Sequence, residues 1–357
     1  MSYQDMPTWL HEMESNMRSI VEDAYRTLNA QTWWRRVATE KNSMSKKEVF
    51  TWLISTAMIR NMESGQAHFE DMLAQYTEVE NEFASAGLIL KKEQLEDLFN
   101  GTPGGEGLQL AARWARDIAE QIAYWPQFKV ADAILDGASA GHTSYDGLTY
   151  FNTAHYVNGV DSGDGTFRNL LKPTGMGHAT RIDAGVTLDA AIDNLAAVRA
   201  YIAGIKMPNG VNPRNLRIKA IIHPPAMQAR VMQLCFGTLV AQDAASGGAG
   251  GADVSPIVKS WNLERPLEAP ELGASYTSTE GNAGSDTTYY VVANESAGEG
   301  ELGALVYQNR EPFNILYHGP EAAPELARKR ELQYKCDGRN TVGYGHPYQL
   351  FRVDAAD

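Results

Sequence analysis

The side chains best suited to chemistry in this chain crowd into one stretch, YDGLTYFNTAH (Tyr145–His155), which holds Asp146, Asn152, Thr153 and His155. A histidine acting as a base needs one group to orient its ring and a nucleophile or proton to serve. Asp146 and Thr153 could fill those roles by type. Asp146 precedes Gly147, however, and Asp-Gly is a turn signal by itself, so the turn is the better reading of Asp146. His142 and His155 could share a metal, yet their spacing of 13 fits no standard ligand motif. His223 falls between a strand-like and a helix-like segment, where a polar side chain can cap. His178 lies in the loop GMGHAT with no evident partner. The Gly-rich GTPGGEG at 101–107 lacks the GK[ST] ending of a phosphate loop, and no GxSxG or HExxH occurs. The expectation is a chain without catalytic, cofactor-binding or metal residues; a hydrolase using His155 and Asp146 is the alternative.

The elements that would position these residues begin with a helical region over 1–60, where WWRR is expected to bury its Trp33 and Trp34 face and solvate its charges. Residues 61–86 are mixed and acidic without a clean period, and read as a long excursion; GLILKKEQLEDLF resumes as a short strand and helical turn. The strongest helix follows. Leu108, Ala111, Ala115, Ile118 and Ile122 recur on one apolar stripe, and Pro126 is expected to kink or interrupt it near Trp125. A second helix over 187–201 buries Leu188, Ile192, Leu195, Val198 and Ile202. Leu216, Ile218, Ala220 and Ile222 then alternate as a strand that runs into a helix opened by Pro224 and Pro225 and closed by Gly237. AASGGAGGADVS at 244–255 reads as a loop, and TTYYVVA, ALVYQ, FNILYH, ELQYKCD and YQLFRV read as strands. Helices first, a mixture in the middle and strands at the end make an α+β chain.

Composition narrows the function. The 357 residues are 43% hydrophobic and 21% charged, enough for a sizeable core, and 44 acids against 31 bases give a formal net charge of −13. That excludes a protein that grips nucleic acid over its whole surface; WWRR, SMSKKE and ELARKRELQYK are short basic runs suited to solvated or subunit-facing patches. Cys235 and Cys336, 101 positions apart, suggest two buried free thiols rather than a disulfide or zinc framework. The polar, acidic start is no signal peptide, and TWLISTAMI at 51–59 is far short of a membrane span. A reducing, aqueous compartment is expected.

Read in order, GLILKKEQLEDL, YDGLTYFNTAH, HPPAM, ALVYQNREP and RNTVGYGHPYQL resemble the landmarks of the Mu-like major head subunits, the major capsid proteins of Mu-type tailed phages. The matching residues are Glu96 and Asp97, Asp146 to His155, Pro224 and Pro225, Tyr307 to Pro312, and Arg339 to Gly345, spread from Gly87 to Val353. Tyr150 replaces a Phe of the pattern, and Tyr156 stands where Pro is expected. The resemblance implies the HK97 fold: an N-terminal arm at 1–60, an extended loop at 61–92 and a peripheral domain at 93–184 with a spine helix at about 104–136. An axial domain at 185–300 and peripheral strands at 301–357 complete it. It implies a structural protein that self-assembles into hexamers and pentamers of an icosahedral head around double-stranded DNA, with scaffold, portal and decoration proteins as further partners. It places the chain in the virion, assembled in the bacterial host cytoplasm. An encapsulin-like shell of the same fold is the alternative. His155 then becomes an architectural hydrogen-bonder.

Overall fold

A computed structural model of the chain describes residues 19, 23, 26–28, 32–53, 74–91, 106–208, 210–236, 240–241, 252–253, 261, 263–295, 303–318 and 331–357. Glu96, Asp97, Gly237, most of the 244–255 loop and most of ELARKRELQYK lie outside them.

The elements in chain order are β1 (Ala38–Asn42), β2 (Lys47–Leu53), β3 (Ala74–Glu80), β4 (Glu82–Lys91), α1 (Glu106–Asp136), β5 (His155–Tyr156), β6 (Thr166–Phe167), β7 (Leu170–Leu171), α2 (Pro173–Met176), α3 (Leu188–Ala203), β8 (Leu216–His223), α4 (Gln228–Phe236), β9 (Val240–Ala241), β10 (Ala252–Asp253), β11 (Leu267–Glu268), β12 (Tyr289–Glu295), β13 (Leu305–His318), β14 (Glu331–Tyr344) and β15 (Leu350–Val353). They build a four-stranded sheet in the order β1-β13-β14-β4 and a five-stranded sheet in the order β11-β8-β12-β15-β7; β2 and β3 pair with each other, as do β5 with β6 and β9 with β10. The mixture of helix and sheet expected from the sequence is present. The five-stranded sheet draws on β7 and β15, both outside the 185–300 span assigned to an axial domain.

The apolar stripe of α1 is buried as expected at Ala115, Ile118 and Ile122, while Arg113, Arg116, Asp117 and Glu120 face solvent. Ile118 packs on Ile315 of β13 and Cys336 of β14, beside Trp114 and Phe313. The side chains of Leu108 and Ala111 lie outside the description. Of the two outcomes expected at Pro126, a kink or an interruption, the interruption does not occur: Pro126 is buried within a 31-residue helix. Proline removes one helical donor and crowds the preceding turn, and close packing on both sides holds the helix through it. Beyond Pro126, Val130, Ala131, Ile134 and Leu135 share a core with Trp33, Trp34, Leu305, Tyr307 and Leu350, which joins the two sheets.

The helical reading of residues 1–60 fails for β1 and β2. Trp33 and Trp34 are buried as expected, but on a single 3-10 turn (Trp34–Arg36) that leads into a strand. ATEKN has no strand-like alternation; it becomes one by adding in parallel to the free edge of β13, from Ala38 opposite Leu305 to Asn42 opposite Asn309. The aperiodic 61–86 region also contains strands, β3 and the start of β4, where backbone pairing to β2 and β14 supplies what periodicity lacked.

The second sheet carries α3 and α4 on one face. Leu195, Val198 and Ile202 of α3 are fully buried there, with Leu188 and Ile192 at its margin, and Thr187 caps the helix by accepting from the Ala190 amide at 3.3 Å. The alternation predicted for β8 breaks between Ile218 and Ala220. Leu216 and Ile218 join the α3 side, whereas Ala220 and Ile222 join the α1 side with Ile221 facing back. The cause is a bulge opposite the Val292/Ala293 step, because one extra residue exchanges the two faces of a strand. ALVYQ and FNILYH form one 14-residue strand, β13, that carries Pro312 through two register shifts, between Asn309 and Glu311 and between Glu311 and Asn314. A proline within a sheet is tolerated at such irregularities.

Candidate functional site

The Tyr145–His155 stretch folds as a turn and a knot. Thr143 bridges Thr149, Gly147 adopts φ +76°, and the Leu148 amide donates to Asp146 Oδ1 at 3.2 Å, so the Asp-Gly turn forms as read. Asp146 does more than turn the chain. Its Oδ2 meets His155 Nδ1 at 2.6 Å, with both side chains fully buried. The turn reading alone therefore misses a contact between residues nine positions apart that folding back brings about.

His155 Nε2 faces two acceptors, the Tyr150 carbonyl at 2.9 Å and Asn169 Oδ1 at 3.2 Å. The same Asn169 donates to the Tyr150 carbonyl at 2.6 Å and accepts from the Asn152 amide at 2.8 Å. Both ring nitrogens thus point at acceptors, and the ring is stacked on Phe167 with centroids 5.3 Å apart. A general base must keep a lone pair free for the proton it removes; this nitrogen is aimed at a carbonyl. Thr153 remains exposed and joins none of these bonds. Asn169 is the member that sequence reading missed, and its only signal is its place just before the apolar pair Leu170-Leu171.

The knot fastens neighbouring elements. Tyr150 donates from its hydroxyl to the Ala304 carbonyl at 2.9 Å and stacks on Tyr344 at 4.7 Å, and the Phe151 amide bonds the Gly137 carbonyl just beyond α1. Burial raises the Tyr150 phenol well above its ordinary range. Gly345 donates to the same Ala304 carbonyl, and a Cβ there would lie 2.2 Å from the Gly303 carbonyl. The GYG landmark is therefore a close backbone approach, which only glycine permits.

The other histidines are separate. His142 contacts Glu280 at 2.8 Å through Nε2 and the Tyr344 hydroxyl at 2.9 Å through Nδ1, so it and His155 hold different partners rather than sharing a metal. His223 is fully buried and bonds the Pro224 carbonyl at 2.9 Å instead of capping the following helix; Pro224 is the cap residue and no side chain caps there. Burial lowers its pKa. His178 bonds the carbonyl of its neighbour Ala179. Cys235 and Cys336 are free and buried, and burial pushes their thiols up to about 12 and about 11, which leaves little reactive thiolate.

In WWRR and SMSKKE the basic residues are paired with acids. Arg35 pairs with Glu40 at 2.9 Å, Arg36 with Glu264, and Lys46 with Glu80 at 2.8 Å. What remains open is an apolar set on and beside the arm formed by β2, β3 and β4: Met44, Val49, Phe83 and Ile89 are 94%, 54%, 74% and 55% exposed. Arg339 lies over the Phe83 ring at 4.3 Å. At its base the arm is held by Val79, whose methyls occupy the place a Gly343 side chain would take, and by Asn81, which donates to Ser43 and Ser45. Among the described residues no helix is long and apolar enough to cross a membrane.

The chain aligns with solved phage capsid structures. The capsid of cyanophage P-SCSP1u aligns with a TM-score of 0.52 at 12% identity, over 90% of this chain and 88% of that one. The mature capsid of bacteriophage PhiM1 gives 0.49 at 12% identity, over 90% and 86%. The capsid of bacteriophage JBD30 gives 0.43 at 12% identity over 89% of this chain, which spans 63% of the JBD30 chain's length. The fold is the HK97-like fold of phage capsid proteins. No curated protein sequence matches the chain. Residues 10–180 match the family described as the Mu-like prophage major head subunit gpT. Through that region, just under half of its length, the chain is similar to the Mu-like major head subunits.

Proposed function

We propose that this chain is the shell-forming subunit of a tailed-phage head, that it self-assembles into hexamers and pentamers of an icosahedral particle, and that the particle encloses double-stranded DNA. The observation that carries this reading is the open apolar arm. Among the described residues Met44, Val49, Phe83 and Ile89 are half of the exposed large apolar side chains, gathered on or beside β2 and β4, and such clustered exposure marks an interaction surface. A neighbouring copy is the occupant that a shell supplies, and the arm corresponds to the extended loop of the fold. The expected loop bounds of 61–92 shift under this reading to about 47–91, since β2 belongs to the arm and β4 anchors it to β14.

The net charge of −13 supports a wall that contains DNA without gripping it, because every phosphate held by Lys or Arg strengthens binding at the expense of release. Scaffold, portal and decoration proteins are further partners under the same reading. Assembly takes place in the host cytoplasm, and the mature location is the virion. No catalytic role is assigned to His155, whose two nitrogens are committed. An encapsulin-like shell would share the fold and differ in its contents.

Electron microscopy of the protein co-expressed with its head-assembly partners tests the proposal, together with analysis of what the particles hold. Closed particles containing nucleic acid are expected. A protein that stays monomeric under every assembly condition overturns the reading, and particles that contain a protein cargo and no nucleic acid favour the encapsulin-like alternative.

A further inference from the structure

Three elements converge at the C-terminal end of α1: Asp136 from the helix, His142 from the loop that follows, and Glu280 from the hairpin closed by the Thr277–Ala283 bridge. One ligand atom from each lies within 4.8 Å of the other two. We propose that these three residues bind one divalent transition-metal ion of the Zn2+ class, which clamps α1 to the 277–283 hairpin.

The hydrogen bonds around His142 point to a cation. Tyr344 donates its hydroxyl hydrogen to the Ala133 carbonyl at 2.9 Å, and a carbonyl only accepts. His142 Nδ1, 2.9 Å from the same oxygen, must therefore be the donor of the second bond. In a neutral imidazole Nε2 then carries the lone pair, and it faces Glu280 Oε2 at 2.8 Å with Asp136 close by. A lone pair set against two carboxylates is repulsive unless positive charge sits among them. A proton on Nε2 answers Glu280 alone; a divalent ion answers all three donors.

The surroundings resemble those of a metal ligand set. A ligating histidine commonly has its other ring N–H fixed by a neighbouring acceptor, and its carboxylate partners are hydrogen-bonded in turn. Asp136 is 4% exposed and accepts at Oδ1 from Ser278 at 2.5 Å and Asn282 at 2.7 Å. Asn282 also donates to Ser139 at 3.0 Å, which ties the hairpin to the loop carrying His142. Tetrahedral Zn2+ with bonds of about 2.0–2.2 Å needs ligand atoms about 3.3 Å apart. His142 Nε2 and Glu280 Oε2, at 2.8 Å, would move slightly apart to admit the ion, which the 52% exposed side chain of Glu280 allows. His142 is 23% exposed, which leaves a fourth position for water.

The test is titration of the chelator-treated full-length chain with ZnCl2 by calorimetry, and with Co2+ for the visible absorption of a tetrahedral site. Wild type is compared with His142→Gln and Glu280→Gln, and with Asp161→Asn as a control in the separate 158–164 loop. One ion per chain is expected, with affinity reduced about tenfold or more in the first two variants and unchanged in the control. Thermal stability should rise with Zn2+ in wild type and not in Glu280→Gln, which is half-exposed and decides the matter if His142→Gln does not fold. Absence of stoichiometric binding, or equal binding in wild type and Glu280→Gln, overturns the proposal and leaves an imidazolium–glutamate ion pair.

Discussion

The 145–155 knot and the β2–β4 arm both attach to β14, and they satisfy their side chains in opposite ways. In the knot the buried polar side chains are spent inside the chain: Asp146 on His155, His155 on Tyr150 and Asn169, Tyr150 on Ala304. In the arm the base is sewn down by Val79 and Asn81, while Phe83 and Ile89 of β4, Val49 of β2 and Met44 before it remain in solvent. A region that completes itself holds the subunit together. A region that does not is completed by something else. This contrast separates residues whose loss unfolds the subunit from residues whose loss leaves it folded and unable to assemble.

The sharpest break is under the sheet that both regions share. Ile118→Asp places a carboxylate against Ile315 and Cys336 without a partner, at a cost of several kcal/mol, a large part of the stability of a domain. Insoluble protein is expected, whereas Arg116→Gln on the solvent face should remain soluble and competent for assembly. Equal behaviour of the two would mean that the helix faces the other way.

Within the knot, His155→Gln removes one partner of a fully buried pair and leaves Asp146 facing an amide. Loss of one member of such a pair typically costs about 3–5 kcal/mol. Chemical denaturation should show that loss, and no enzymatic activity should change with it. A variant as stable as wild type would remove the knot from the self-completed side of the comparison.

The self-completed side also carries an acid response through a buried histidine. Burial, with a smaller contribution from the Arg214 charge, lowers the pKa of His346 from 6.5 to about 3. The unfolded chain takes up this proton below about pH 6.5, and the folded one does not until about pH 3. The associated stability is therefore whole above 6.5 and declines as pH falls toward 3, by a few kcal/mol at most. His346→Phe should flatten the dependence of Tm on pH across that window, and an unchanged slope would show that His346 takes no part in it.

The smallest effect on folding, with a large one on assembly, belongs to the arm. Phe83→Ser with Ile89→Ser should alter the stability of the isolated subunit by no more than about 0.5 kcal/mol, as surface changes do. Particle yield in the same preparation should collapse. Normal particles from this double variant would show that the exposed apolar set is not a contact between subunits.

Some of this was readable from local pattern. The α1 stripe, the buried face of α3 and the Asp-Gly turn follow from 3.6-residue periodicity and from turn chemistry, both of which act within a few residues. The capsid resemblance rested on short landmarks, and the structure explains one of them: Gly343 and Gly345 are glycines because Val79 and the Gly303 carbonyl occupy the space a side chain would need. β1, with the sequence ATEKN, gave no strand signal because its strand character comes from the edge of β13, 267 positions away at Ala38 opposite Leu305.

Local sequence by itself determined α1, α3, the Asp-Gly turn and which stripes of those helices are apolar, because propensity and periodicity are properties of neighbours along the chain. Only the tertiary structure decided that Asp146 would meet His155, that Asn169 would close the knot, that a bulge would exchange the faces of β8, and that Pro126 would sit inside an unbroken helix. Each of these depends on a partner distant in sequence, or on packing that outweighs a local preference. The cost or gain of such contacts appears only once the chain has folded back on itself.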